Sequence, residues 1–120
     1  MKQYQLAILG FGTVGTGVYR ILTENHGDLM HRESLDLCVS QILVRDIERA
    51  SLLGLAPRAL FTTDYDDILS DASVSVVVEC MGGVEPARSY ILRALEAGKT
   101  VVTSNKEVIS KFWFEFEAAA

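Results

Sequence analysis

Residues 4–24 run Tyr4-Gln5-Leu6-Ala7-Ile8-Leu9, then Gly10-Phe11-Gly12-Thr13-Val14-Gly15, then Thr16 to Glu24. An apolar run, a glycine cluster and a helical pattern follow one another without a break. The run Tyr4 to Leu9 predicts a strand buried on both faces. From Thr13 to Glu24, the apolar residues Val14, Val18, Ile21 and Leu22 share one helical face. The glycines therefore fall on the strand-to-helix turn. G-x-G-x-x-G is a weak signal alone and a specific one in that context. Gly10 permits the tight turn, Gly12 lets a phosphate approach the backbone, and Gly15 lets the helix pack on the sheet. The N–H groups of Phe11 to Val14 lie at the positive end of the helix and suit a pyrophosphate. The bland alternative is a tight turn with no ligand. Gly17 sits inside the helix, where close packing is the expected reason for it.

Outward from this turn the pattern repeats. Asn25 to Asp36 is polar and reads as a loop or a frayed helix end. His26 and His31 lie there without an evident ligand cluster, so no metal site is expected. Leu37 to Val44 predicts a second strand. Asp46 predicts an N-cap for a short helix to Leu53, and Gly54 ends it. Leu60 and Phe61 predict a short third strand, and Thr63 or Asp64 a cap for a helix to Leu69. Val74 to Glu79, dense in β-branched residues, predicts a central strand. Glu85 to Ala97 reads as a helix with Pro86 in its first turn, Thr100 to Thr103 as a fifth strand, and Asn105 onward as a last helix. Such alternation calls for an α/β fold, a Rossmann-type doubly wound parallel sheet with helices on both faces.

Bulk properties bound the rest. The 120 residues suit one domain, and 49% hydrophobic with 22% charged residues is ordinary globular composition. A net charge of -5 without a basic run argues against nucleic-acid binding. No apolar run approaches the ~18 residues of a membrane span, and no signal peptide is visible, so a soluble cytoplasmic protein is expected. Cys38 and Cys80 fall on strands that should flank the first strand on opposite sides. That puts them roughly 9.5 Å apart, beyond disulfide reach, so two free thiols are expected.

The end of the second strand meets the adenosine ribose in this fold. An acidic side chain there selects NAD and an arginine selects NADP. Here Arg45 precedes Asp46. Arg45 is expected to face the nucleotide and Asp46 to cap the helix, which favours NADP while leaving NAD open. Cys80 to Gly83 and Thr103 to Lys106 follow two other strands, so both loops should border the nicotinamide half. Lys106 opens a helix against an unfavourable dipole, which a bound phosphate, carboxylate or carbonyl would offset. The alternative is a solvated lysine. Glu79 reads either as a strand-end carboxylate near the ligand or as a partner for Lys106.

Four stretches together resemble the homoserine dehydrogenase family: Gly10 to Val18, Leu43 to Asp46, Val77 to Ala87 and Ala97 to Lys106. The resemblance spans nearly the whole chain. It implies that residues 1–120 are an NAD(P)-binding domain that lacks a following substrate domain. It also implies an oxidoreductase that interconverts L-homoserine and L-aspartate 4-semialdehyde in threonine, methionine and isoleucine biosynthesis, as a homo-oligomer when full length. By the same resemblance Phe11, Thr13 and Val14 offer backbone contacts to the coenzyme. Arg45 contacts the adenosine phosphate, Ser104 and Lys106 lie by the nicotinamide and its ribose, and Lys106 takes part in catalysis. Two other readings share the coenzyme domain: another dehydrogenase such as aspartate dehydrogenase, and a non-catalytic dinucleotide-sensing module.

Overall fold

A computed structural model describes residues 2–120. Five strands form one parallel sheet: β1 (Lys2–Leu9), β2 (Leu35–Leu43), β3 (Phe61–Thr62), β4 (Val74–Glu79) and β5 (Thr100–Thr103). Their spatial order is β3-β2-β1-β4-β5. The chain runs outward from β1 to one edge, then crosses back to build the other side. The order therefore reverses between β1 and β4, and ligands in such sheets lie beyond the carboxyl ends of the strands at that point.

The two-residue period of a strand splits β1 between two cores. Ala7 and Leu9 face Leu43, Val74 and Val77, where they meet Tyr65 and Ile68 of α4 (Tyr65–Leu69) and Ala94 of α5 (Ala87–Glu96). Ile8 faces the other way, with Ile42, Phe11 and Phe61. There it meets Tyr19 of α1 (Thr13–Glu24) and Ala50 of α3 (Ile47–Leu52). Helices thus cover both faces, as the alternation required. Ile8, Leu9 and Ile42 are fully buried; each such side chain contributes about 1.5–3 kcal/mol over an exposed one. A third cluster, Ala87, Ile91, Val108 and Phe116, joins α5 to α6 (Lys106–Ala119). Arg88 reinforces that joint with a forked contact to Glu115, Nη2 to Oε2 at 2.6 Å.

Several boundaries differ from the sequence reading. The polar stretch 25–36 is largely ordered as α2 (His26–Glu33), and β2 starts at Leu35, before Asp36. None of the α2 residues is buried, so no apolar period announces the helix. Its signals are electrostatic: Asp28 in the first turn, His31 and Arg32 in the last, and Ser34 closing it in the left-handed region at φ 54°. Pro86 precedes α5 as its cap residue rather than lying inside its first turn. Asp64, not Thr63, caps α4, accepting from the Asp66 N–H at 2.9 Å. Cys38 on β2 and Cys80 after β4 lie on opposite sides of β1 and are both free thiols.

Candidate functional site

Strand-end hydrogen bonds shape the glycine turn. The Gly10 N–H donates to the Leu43 carbonyl and the Cys80 N–H to the Leu9 carbonyl, both at 2.9 Å. Gly10 turns out of β1 at φ 96°, a conformation that side chains disfavour. A Cβ on Gly15 would lie 2.1 Å from the Gly10 carbonyl oxygen, so that helix position admits only glycine. At Gly12 a Cβ would meet nothing within 4 Å. The space in front of this backbone is open, as a close-lying diphosphate requires.

The N-terminus of α1 has no side-chain cap. It shares this with α2 and α5, whereas α3, α4 and α6 are capped by Asp46, Asp64 and Asn105. Uncapped amides and the helix dipole together suit an anion. Open backbone at Gly12 and uncapped amides at α1 are the two features a bound dinucleotide needs from the chain, and both are present.

Two clefts meet at this point. The larger, about 790 Å³, runs from Gly10, Phe11 and Gly12 along the end of β2 to Arg45, Asp46 and Arg49, with Thr63, Pro86 and Tyr90 on its other walls. The second, about 430 Å³, runs from Gly12, Thr13 and Val14 past Glu79 and Gly82 to Ser104, Asn105 and Lys106. Gly12, Cys80 and Met81 line both. Eight of the nine residues expected at a coenzyme site, all but Gly15, therefore line one continuous trough. Gly15 lies beneath it, buried against Gly10.

Polar groups along the trough are arranged unevenly. Asp46 Oδ1 accepts the Arg49 N–H at 3.2 Å, so the helix engages its carboxylate as expected. Arg45 and Arg49 are exposed, and among the described residues neither guanidinium group forms a salt bridge. Arg49 was not singled out from sequence; its signal was a second arginine one helical turn after Arg45. Lys106 is exposed and likewise without a salt bridge among the described residues. Glu79 is not its partner. The Glu79 carboxyl is buried, accepting the Met81 N–H at 2.7 Å through Oε2 and the Thr103 hydroxyl at 2.7 Å through Oε1. Thr103 Oγ1 in turn accepts the Asn105 N–H at 3.0 Å, and the Asn105 amide reaches the Gly83 carbonyl at 2.5 Å. This chain of bonds fixes both loops beside the second cleft. Burial, with the Glu79 carboxylate next to it, pushes the Cys80 thiol up to about 11.

Residues 10–120 match the family model of the homoserine dehydrogenase NAD-binding domain. The chain belongs to the homoserine dehydrogenase family. It is 37% identical to the homoserine dehydrogenase of Bacillus subtilis over 120 residues, which is 100% of this chain and 28% of that protein. Against the homoserine dehydrogenase of Corynebacterium glutamicum it is 44% identical over 115 residues, 96% of this chain and 25% of that one. Among solved structures, a homoserine dehydrogenase from Thiobacillus denitrificans superposes with a TM-score of 0.88 at 36% identity, covering 99% of this chain and 27% of that one. The chain thus spans about a quarter of the length of the curated relatives it matches. The matched portion is the NAD-binding domain. No helix among the described residues is long and apolar enough to cross a membrane.

Gly17 corrects another expectation. Its packing environment is empty: a Cβ there would meet nothing within 4 Å. Close packing therefore does not explain the glycine, and nothing else in the structure does.

Proposed function

We propose that this chain is the coenzyme domain of an NADP-preferring homoserine dehydrogenase, interconverting L-homoserine and L-aspartate 4-semialdehyde in amino-acid biosynthesis. The carrying observation is the pair Arg45 and Arg49 at the ribose end of the trough, with the neighbouring Asp46 carboxylate engaged as a helix cap. A site that selects NAD by accepting ribose hydroxyls needs a free carboxylate there. This one offers two guanidinium groups, the chemistry that suits a 2′-phosphate.

The coenzyme, when bound, supplies a hydride donor or acceptor. The chain's own groups orient it. Backbone N–H groups of Phe11, Gly12, Thr13 and Val14 hold the diphosphate at the α1 N-terminus. Gly10 and Gly15 shape the turn that presents them. At the far end Ser104 and Lys106 meet the nicotinamide ribose, and Lys106 faces the substrate as the catalytic cation of this domain. Substrate binding and the subunit interface of a homo-oligomer belong to the complete enzyme, so the chain alone binds dinucleotide without oxidising homoserine.

Isothermal titration with NADP and with NAD tests the reading. NADP is expected to bind more tightly, and Arg45→Ala to weaken NADP by about tenfold or more while leaving NAD little changed. Equal affinities unaffected by Arg45→Ala would overturn the NADP preference. Failure of both coenzymes to bind would overturn the site itself, and homoserine oxidation by the chain alone would overturn the assignment of catalysis to the complete enzyme.

A further inference from the structure

The residues of α2 and the start of β2 assemble a second site, at the opposite end of the sheet from the trough. Asp36 and Cys38 lie two apart on β2 and so project from the same face of the strand. His26, the first residue of α2, brings its ring to them. His26 Nε2 lies 2.7 Å from Asp36 Oδ1, Cys38 Sγ lies 3.2 Å from that same oxygen, and Sγ lies 3.8 Å from Nε2. The polar stretch 25–36, read as lacking a ligand cluster, in fact supplies two members of a convergent trio, His26 and Asp36.

We propose that His26, Asp36 and Cys38 form a three-ligand site for a divalent cation of the zinc class. Around tetrahedral zinc, ligand atoms at their normal bond lengths of ~2.0–2.3 Å end up roughly 3.3–3.7 Å apart. The observed separations of 2.7, 3.2 and 3.8 Å bracket that range, so shifts of roughly half an ångström or less per ligand seat an ion among them. The donor set also selects the ion. A thiolate beside an imidazole and a carboxylate suits zinc and not magnesium or calcium, which take oxygen ligands.

Two further features fit. Gln3 Nε2 donates to Asp36 Oδ2 at 3.1 Å, holding the carboxylate with Oδ1 turned to the cluster. Outer partners of this kind orient metal ligands. The His26 side chain is 37% exposed and that of Asp36 17%, which leaves an entry path and room for a water as fourth ligand. On binding, the Cys38 S–H bond breaks, a sulfur–metal bond forms and the proton passes to solvent, with no change of oxidation state. The cation ties α2 to β2. Five residues of strand, about 16 Å, separate Cys38 from Leu43 at the coenzyme end, so the ion sits apart from the dinucleotide.

Cobalt(II) titration of the metal-free protein, followed by absorption, reads the ligands directly. One equivalent is expected to give a thiolate-to-cobalt charge-transfer band with tetrahedral d–d bands, and excess zinc to erase both. Cys38→Ser is expected to remove the charge-transfer band and Cys80→Ser to retain it. Zinc should raise the Tm of the unmodified chain and not that of His26→Gln. Should Cys38→Ser fail to fold, the Cys80→Ser protein decides the matter, since Cys38 is then its one remaining thiol. No thiolate band at saturating cobalt would mean that the trio is a hydrogen-bonded cluster only, and the proposal falls. A band that survives Cys38→Ser would place the ion elsewhere and overturn it equally.

Discussion

The Thr103 hydroxyl donates to Glu79 Oε1 at 2.7 Å, joining the carboxyl ends of adjacent strands β4 and β5 beneath the second cleft. With the Met81 N–H on its other oxygen, the buried Glu79 carboxyl holds both loops that border Lys106. Thr103→Val leaves Oε1 without this donor and is expected to cost about 1–3 kcal/mol. Chemical denaturation measures it. A loss of coenzyme affinity beyond the stability effect is expected as well, because Asn105 takes its position from the same hydroxyl. Unchanged stability in Thr103→Val would show that the bond does not hold the loops.

Gly15 and Gly17, two positions apart on α1, should respond oppositely to alanine. At Gly15 the new methyl would collide with the Gly10 carbonyl, so the variant should be strongly destabilised and should lose dinucleotide binding. At Gly17 the methyl enters open space and the helix gains up to about 1 kcal/mol in backbone terms. Thermal melts should show a Tm higher by a few degrees for Gly17→Ala. A lower Tm there would point to a role for that bare backbone outside this chain.

Cys80 should be a slow thiol. With its value raised to about 11, roughly one molecule in a thousand carries the thiolate at pH 8, against about one in four for an ordinary cysteine. Alkylation by iodoacetamide should therefore lag that of free cysteine by two orders of magnitude. Bound NADP should slow it further, since Cys80 lines both clefts. Mass-spectrometric peptide mapping distinguishes it from Cys38.

Asp71 sets part of the acid stability. Hydrogen bonds from the Ser73 hydroxyl and N–H and from the Gln41 amide, with Lys99 nearby, hold its carboxyl below the usual aspartate range. The folded chain therefore binds this proton more weakly than the unfolded chain. The stabilisation is complete above the unfolded value of about 3.9 and is lost as pH falls through the lower folded value. Denaturation midpoints should decline as pH falls below about 4, and less steeply in Asp71→Asn. Parallel declines in the two proteins would remove Asp71 from the explanation.

Lys99 should act as a buried structural cation. It is almost fully buried, and its Nζ donates to the Asp71 carbonyl at 2.9 Å and the Val74 carbonyl at 2.5 Å, closing the turn into β4. Lys99→Met keeps the stem and removes the donors. A loss of about 2–3 kcal/mol in urea denaturation is expected, with coenzyme affinity little changed.

The strands and the glycine turn were legible because their signals are local. β1, β4 and β5 are apolar runs bounded by glycine or polar residues, and Arg45-Asp46 sits at a strand end whose role the topology defines. What stayed hidden depends on tertiary neighbours. The helix α2 buries no residue, so periodicity could not reveal it, and only its folding carries His26 to Asp36. Glu79 could be matched to Thr103 only once the register of β4 on β5 was known. The empty surroundings of Gly17 are a property of the packed chain, not of the letters around it.

The sheet order also has a consequence on the ribosome. Leu9 pairs with Leu43 on one side but must await Glu79, on the order of seventy residues later, on the other. At ordinary translation speeds the glycine loop waits roughly 4 to 14 seconds for that second wall. Until β4 emerges, the Leu9 carbonyl lacks its Cys80 donor and one flank of β1 lies bare, the interval in which a chaperone has most to shield.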